Sequence, residues 1–106
     1  MEAAIRAIAE PRRRDILRLV WSAELPAGEI ASHFEVTRPA ISQHLRVLKD
    51  AGLVSERRDG TRRLYRARHE TLAELRSFLA SFWDERLAIL KAEAELEERG
   101  ERHGPA

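Results

Sequence analysis

The sequence predicts a mainly α-helical chain interrupted once by a β-hairpin, and three observations carry that expectation. Apolar residues recur at helical spacing over most of the length. The period drops to two only across residues 53–67, around the pair Asp59-Gly60. From about residue 70 to 99 a helical pattern then runs without proline or glycine.

Taken in order, residues 2–9 place Ala4, Ile5, Ile8 and Ala9 on one modest apolar face, enough for a short helix that cannot stand alone. Glu10 and Pro11 interrupt it, and a second helix from about residue 12 puts Ile16, Leu17, Val20 and Trp21 on one stripe, with Trp21 read as packing material. The run Arg12, Arg13, Arg14 at its start can face phosphate or solvent. After a polar connection over 22–25, Pro26 starts a third helix reaching about Phe34, with Ile30, Ala31 and Phe34 inward and Glu29 in the first turn, where a carboxylate suits the dipole.

The stretch 37–54, TRPAISQHLRVLKDAGLV, has a marked start, a polar outer face and a marked stop. Pro39 fits only a first helical turn and Thr37 can cap it, so the helix begins near Arg38. Ile41, Leu45 and Leu48 share a narrow arc, Pro39, Gln43 and Arg46 point the other way, Ser42 lies on the flank, and Gly52 supplies a left-handed stop. Two short helices joined by a three-residue turn over 35–37, the second presenting Ser, Gln and Arg outward, form a helix-turn-helix arrangement whose outer face suits a DNA major groove. The same spacing also describes an ordinary amphipathic surface helix.

Beyond Gly52, segments 53–57 and 62–67 form a two-stranded wing around a turn over 58–61. Arg57, Arg58, Arg62, Arg63 and Arg66 crowd it, more than edge protection requires, which points to phosphate or minor-groove contact. In the long helix Leu72, Leu75, Leu79, Phe82, Trp83, Leu87, Leu90 and Ala94 make one stripe, broadened by Phe78 and Ile89. A helix of about 30 residues is roughly 45 Å long, more than so small a domain can cover with its own chain. A second subunit is therefore expected about a two-fold axis, with Ile5, Ile8, Leu75, Leu79, Phe82, Trp83, Leu87 and Leu90 at the dimer interface. A ligand pocket lined by Phe78, Phe82 and Trp83 is the alternative use of those aromatics.

With 106 residues, one domain is expected over 1–99 (helix-turn-helix 26–51, wing 53–67, long helix 70–99), followed by a frayed tail at 100–106 that includes His103. The chain is 43% hydrophobic and 35% charged, no run approaches the roughly 18 apolar residues of a membrane span, and the first residues lack secretory character, so a cytoplasmic protein without membrane contact is expected. The absence of cysteine removes disulfides, thiolate metal sites and thiol switches. Neither a Gly-rich phosphate loop nor a His–carboxylate pair at catalytic spacing is present, so neither an enzyme nor a cofactor is expected. The net charge of +1 hides an asymmetry: residues 1–69 hold 14 of 19 basic and 9 of 18 acidic residues, a balance of +5, and the remainder balances at −4. Within 38–68, nine basic residues face only Asp50, Glu56 and Asp59, an electrostatic footprint beside the candidate reading helix.

These elements together resemble the ArsR family of bacterial winged helix-turn-helix repressors. The resemblance rests on AEPRRRDIL (9–17), GEIASHFEVTRPAISQHLRVLKDAGLV (28–54) and RRDGTRRLYR (57–66), and FWDERLAIL (82–90) is similar to the family's metal-independent, autorepressor-like branch. It implies a winged helix-turn-helix with a two-stranded β-hairpin wing and a long C-terminal dimerisation helix. The family's thiolate sensors carry a C-x-C pair where this chain has residues 25–27, and its zinc and nickel sensors carry ligands where this chain has His69, Thr71, Phe82 and Glu85. Two possible donors do not close a zinc site. The implied function is a homodimeric repressor on a two-fold-symmetric double-stranded DNA operator. Ser42 and Gln43 are its expected base readers beside Arg38 and Arg46, Thr37 and His44 hold phosphate or pack, and Arg57, Arg58, Arg62 and Arg63 grip the backbone from the wing. The rival readings are a winged-helix protein-interaction module and a metal-responsive repressor with a non-standard site drawn from His33, His44, His69 and carboxylates.

Overall fold

The computed structural model of the protein describes the backbone of residues 1–103 and the side chains of 1–99, so of the tail expected at 100–106, residues 104–106 and the side chains of 100–103, His103 included, lie outside the described residues, while the backbone of 100–103 continues as helix. The helices are α1 (Glu2–Ile8), α2 (Pro11–Leu19), α3 (Ala27–Ser32), α4 (Arg38–Asp50) and α5 (His69–His103), and the strands are β1 (Leu25–Pro26), β2 (Val54–Asp59) and β3 (Arg62–Ala67). They divide into two units, Met1–Leu75 and the part of α5 from Arg76 onward.

In the first unit the helices start and stop where local chemistry requires. Glu10 caps α2 by accepting from the Arg12 N–H at 3.0 Å, with Pro11 in the first turn. The short α1 gains its C-terminal partners from α2: Arg13 Nε donates to the Ala7 carbonyl at 2.6 Å, a second Arg13 nitrogen donates to the Arg6 carbonyl, and Arg14 donates to the Ile8 carbonyl at 2.7 Å. Arg12 lies over the Phe34 ring, 4.9 Å from its centroid. Of the arginine triplet, open to phosphate by sequence, Arg13 and Arg14 thus tie α1 to α2, and Arg12 stacks on the turn that precedes α4.

The α4 boundaries follow the sequence reading. Thr37 Oγ1 accepts from the Ala40 N–H at 3.3 Å. At the other end Gly52, at φ 76°, donates to the Lys49 carbonyl and Leu53 N–H to the Leu48 carbonyl, both at 2.9 Å. That paired pattern is a Schellman stop, and it turns Leu53 into the core. Ile41, Leu45 and Leu48 on α4 are fully buried, as are Ile16 on α2, Val20 at its C-terminal cap and Ile30 on α3, and α4 packs against both of those helices. No described polar side chain is buried without a hydrogen-bond partner.

The sheet holds one strand more than expected. Its order is β1-β3-β2, all antiparallel, with Leu25 opposite Tyr65 and Pro26 opposite Leu64. A two-residue strand leaves no alternation to detect, and Pro26 is tolerated because β1 is an edge. Pro26 therefore ends a strand and caps α3, which starts at Ala27 and stops at Ser32, shorter than the helix expected to about Phe34. The hairpin turn also shifts by one residue: Asp59 pairs with Arg62, leaving Gly60-Thr61 as the loop, with Gly60 at φ 64° in the first central position.

Trp21, expected in the core, is 46% exposed because α2 ends at Leu19 and Val20 is its C-terminal cap. Its ring stacks on His69 with centroids 4.4 Å apart, and His69 Nε2 meets the Trp21 carbonyl. Leu75, expected at a subunit interface, is buried in its own unit at 3% exposure. A core already fills its side.

In the second unit the apolar stripe has no cover. Phe82, Trp83, Leu87, Ile89 and Leu90 are all exposed, and Phe78 meets Phe82 edge-on with centroids 5.2 Å apart. No described helix is long and apolar enough to cross a membrane.

Candidate nucleic-acid interface

The 3.6-residue repeat of α4 separates two faces. The Ile41, Leu45 and Leu48 ladder anchors the helix, which leaves Thr37, Arg38, Ser42, Gln43 and Arg46 exposed on its outer side. Lys49 falls on the same outward arc as Ser42 and Arg46, at spacings of seven and three. A shallow depression along this side is lined by Pro39, Ser42, Gln43 and Arg46.

Between α4 and the sheet lies an open groove of about 780 Å³. Arg38, Ser42, Arg46 and Lys49 line it from the helix, and Glu56, Thr61, Arg62, Arg63 and Tyr65 line it from the wing. Arg38 leans toward the start of α3, its guanidinium about 3.9 Å from where a Cβ on Gly28 would sit. Five cationic side chains therefore face one concave surface against three acids, Glu29, Asp50 and Glu56, a net positive lining of the kind a polyanion backbone selects.

Strand alternation sorts the wing arginines around this groove only in part, because the hairpin end departs from it. Opposed residues share a face, so Glu56, Arg58, Arg63 and Tyr65 lie on one side of the hairpin and Arg57, Asp59, Arg62 and Leu64 on the other. On the groove side Arg63 Nε lies 3.5 Å from one oxygen of Glu56, and Lys49 Nζ lies 3.4 Å from the other. Burial raises the Tyr65 hydroxyl above its ordinary pKa, with the Glu56 charge adding to the effect. Arg62, at the hairpin end, reaches the groove and also lies 3.9 Å from Asp59.

Arg57 differs from the expectation for it. Its Nε and a terminal nitrogen grip both oxygens of Glu24, the best contacts being 3.0 and 2.9 Å, on the sheet face away from the groove. That bond holds the Glu24 carboxyl below its ordinary pKa. It gives Arg57 a structural partner before any DNA arrives. His44, half-buried on the flank of α4, takes an Arg13 nitrogen at 3.3 Å from its Nδ1. Arg58 is exposed at the hairpin end.

Residues 10–56 match the family model described as bacterial regulatory protein, arsR family. The chain is 45% identical over 82 residues, 77% of each protein, to the HTH-type transcriptional regulator Rv2034 of Mycobacterium tuberculosis. It belongs to the ArsR family.

The family members are helix-turn-helix transcriptional regulators, and this chain is a DNA-binding regulator of that kind. The Bacillus subtilis transcriptional repressor SdpR is 43% identical over 60 residues, covering 57% of this chain and 67% of that protein. A crystal structure of a possible transcriptional regulator for arsenical resistance superposes with a TM-score of 0.73 at 44% identity, covering 88% of this chain and 96% of the other. The homodimeric winged helix-turn-helix DNA-binding domain of a possible ArsR-family regulator from Mycobacterium bovis superposes at 0.64 with 35% identity, covering 81% and 80%.

Within the ArsR frame, Lys49 and Glu56 are groove residues beyond the expected DNA contacts. Lys49 is legible in the sequence from its place on the outward arc of α4. Glu56 gave no such signal, because an acid in a basic strand reads as solvated until the register shows which face it occupies. Among the described residues no three His, Asp or Glu side chains gather as a metal site.

Proposed function

We infer that this ArsR-family chain is a homodimeric repressor that binds an inverted-repeat operator without metal sensing and acts in the cytoplasm. The observation that carries the reading is the groove between α4 and the wing, where Arg38, Arg46, Lys49, Arg62 and Arg63 converge beside the exposed Ser42 and Gln43. Ser42 and Gln43 read base edges, with Arg38 and Arg46 reading or flanking them. Thr37 holds a phosphate through its backbone at the helix start, and His44, already partnered by Arg13, packs beside the backbone. On the wing, Arg58, Arg62 and Arg63 hold phosphate or minor groove. Arg57 takes a supporting role through Glu24.

Dimerisation is supported by the uncovered apolar residues of α5, Phe82, Trp83, Leu87 and Leu90, and by the homodimeric state of the Mycobacterium bovis domain. Leu79 and the half-buried Ile5 and Ile8 extend that surface. Repression rather than activation follows the SdpR likeness, although the matched relatives also include the transcriptional activator HlyU of Vibrio cholerae, 40% identical over 55 residues. A two-fold dimer fixes the spacing of its reading helices, so half-sites lie about 10 bp apart or a multiple of that.

Selection from randomised duplexes, followed by mobility shifts on the recovered motif, tests the whole reading. An inverted repeat at that spacing is expected, with affinity falling steeply as salt rises. Recovery of no motif, together with a flat salt response, overturns it in favour of a protein-interaction module.

A further inference from the structure

Three acids line the basic groove, Glu29, Asp50 and Glu56, and of the three only Glu56 holds cations of that groove in the described ion pairs. Its side chain is 18% exposed, the lowest of any charged group in the described ion pairs, and its two oxygens hold cations from different elements: Lys49 at the end of α4 and Arg63 on β3. Each contact, at 3.4 and 3.5 Å, is longer than the 2.7–2.9 Å of a well-formed charge-assisted bond, and both cations remain more than half exposed. They are gathered but not locked. Tyr65, opposite Glu56 across the strand pair, is buried and lines the groove beside it.

We propose that Glu56 is an internal stand-in for DNA phosphate. In the free protein it holds Lys49 and Arg63 at the spacing of the groove, and on DNA binding the two cations pass from its oxygens to backbone phosphates. This rests on the DNA-binding reading of the groove and adds a selectivity device to it. Exposed pairs of this length are weak, so the exchange is easy wherever the duplex brings phosphates to the right places. Where it does not, the cations stay on Glu56 and its charge repels the backbone. A duplex fitted by the reading helix meets the first condition, and an arbitrary duplex meets it poorly. Glu56 is thus a positioning and selectivity residue rather than a base reader.

The exchange also leaves a thermodynamic mark. Two cations release counterions from DNA, while the vacated carboxylate takes up about one, so the salt slope is shallower by about one than the contact number implies. Full-length wild-type protein, Glu56→Gln and Glu56→Asp are titrated by fluorescence anisotropy against the selected operator and a random duplex of equal length, over a series of salt concentrations. E56Q is expected to bind random duplex about three- to tenfold more tightly, to gain less on the operator, and to steepen the salt slope by about one. E56D, which keeps the charge, retains the wild-type slope. A second measurement uses only the wild-type protein: the Arg63 Nε–H resonance moves when duplex is added. Operator-selective wild-type binding combined with unchanged random affinity and slope in E56Q, or with an unmoved Arg63 resonance, overturns the proposal. Absence of any DNA binding by the wild type instead overturns the groove reading on which it stands.

Discussion

The two units of this protein handle apolar side chains in opposite ways. In Met1–Leu75 a core of large aliphatic residues closes: Ile16, Ile30, Ile41, Leu45, Leu48 and Leu53 are fully removed from solvent. From Arg76 onward most large apolar residues face solvent, from Phe78 at 38% exposure to Trp83 at 64%, with Leu79 half-buried. The same chemistry therefore serves two ends. The first unit completes its own core and presents a charged groove, and the second carries an apolar surface with nothing of its own unit to bury it.

The strongest way to break this contrast is to make the second unit polar. In the Trp83→Glu, Leu87→Glu double variant the proposed dimer should dissociate, giving a monomer in sedimentation equilibrium. Operator affinity should fall about 100-fold or more, because the second half-site no longer binds at high effective concentration. The first unit should still unfold cooperatively by circular dichroism. A variant that remains dimeric would show that the stripe serves another purpose, such as the aromatic ligand pocket.

A matched pair of leucine truncations sharpens the same contrast at the level of stability. Leu45→Ala opens a cavity in a fully buried ladder and should cost about 2–5 kcal/mol in urea unfolding. Leu96→Ala makes the same chemical change on an exposed surface and should stay within about 0.5 kcal/mol. Between these lies Gly52→Ala. A Cβ there would meet only Thr71 atoms at 3.9 Å, so the expected loss of about 1–2 kcal/mol comes from the left-handed φ of 76° and not from a clash.

These examples also mark what was readable from the residues. The Thr37 cap, the buried arc of α4 and the Gly52 stop are local, written within about 16 residues, and each was found where the pattern put it. Strand β1 was not, because its pairing with β3 crosses about 40 positions and two residues carry no periodicity. The same limit governs the site. The outward face of α4 follows from helical phase, whereas the two faces of the wing depend on register, which a one-residue shift of the turn to Gly60-Thr61 reassigns. Arg57 consequently looked like its neighbours in sequence and differs from them in space. Arg12, Arg13 and Arg14 were ambiguous for a related reason: whether a cation meets a carbonyl, a ring or a phosphate depends on what the fold brings beside it.

The smallest expected effect tests that difference among the wing arginines. Arg57 is gripped by Glu24 while Arg62 and Arg63 face the groove, so Arg57→Gln should weaken DNA binding by less than about threefold, against about tenfold for Arg62→Gln. The Arg57 partnership has its own signature. The hydrogen bond from Arg57 holds the Glu24 carboxyl below its ordinary 4.5, so the pair's contribution to folding is present in full above that value. It is lost as pH falls through the lowered folded value, where the native carboxylate takes up its proton. Wild type should therefore exceed Glu24→Gln slightly in thermal stability at neutral pH, and the gap should close well below pH 4.5. Both groups are solvent-exposed, which keeps the gap small and makes it shrink in high salt. If the gap persisted in acid, Glu24 would be supporting the sheet through packing, and the assignment of Arg57 to the wing's internal structure would lose its electrostatic basis.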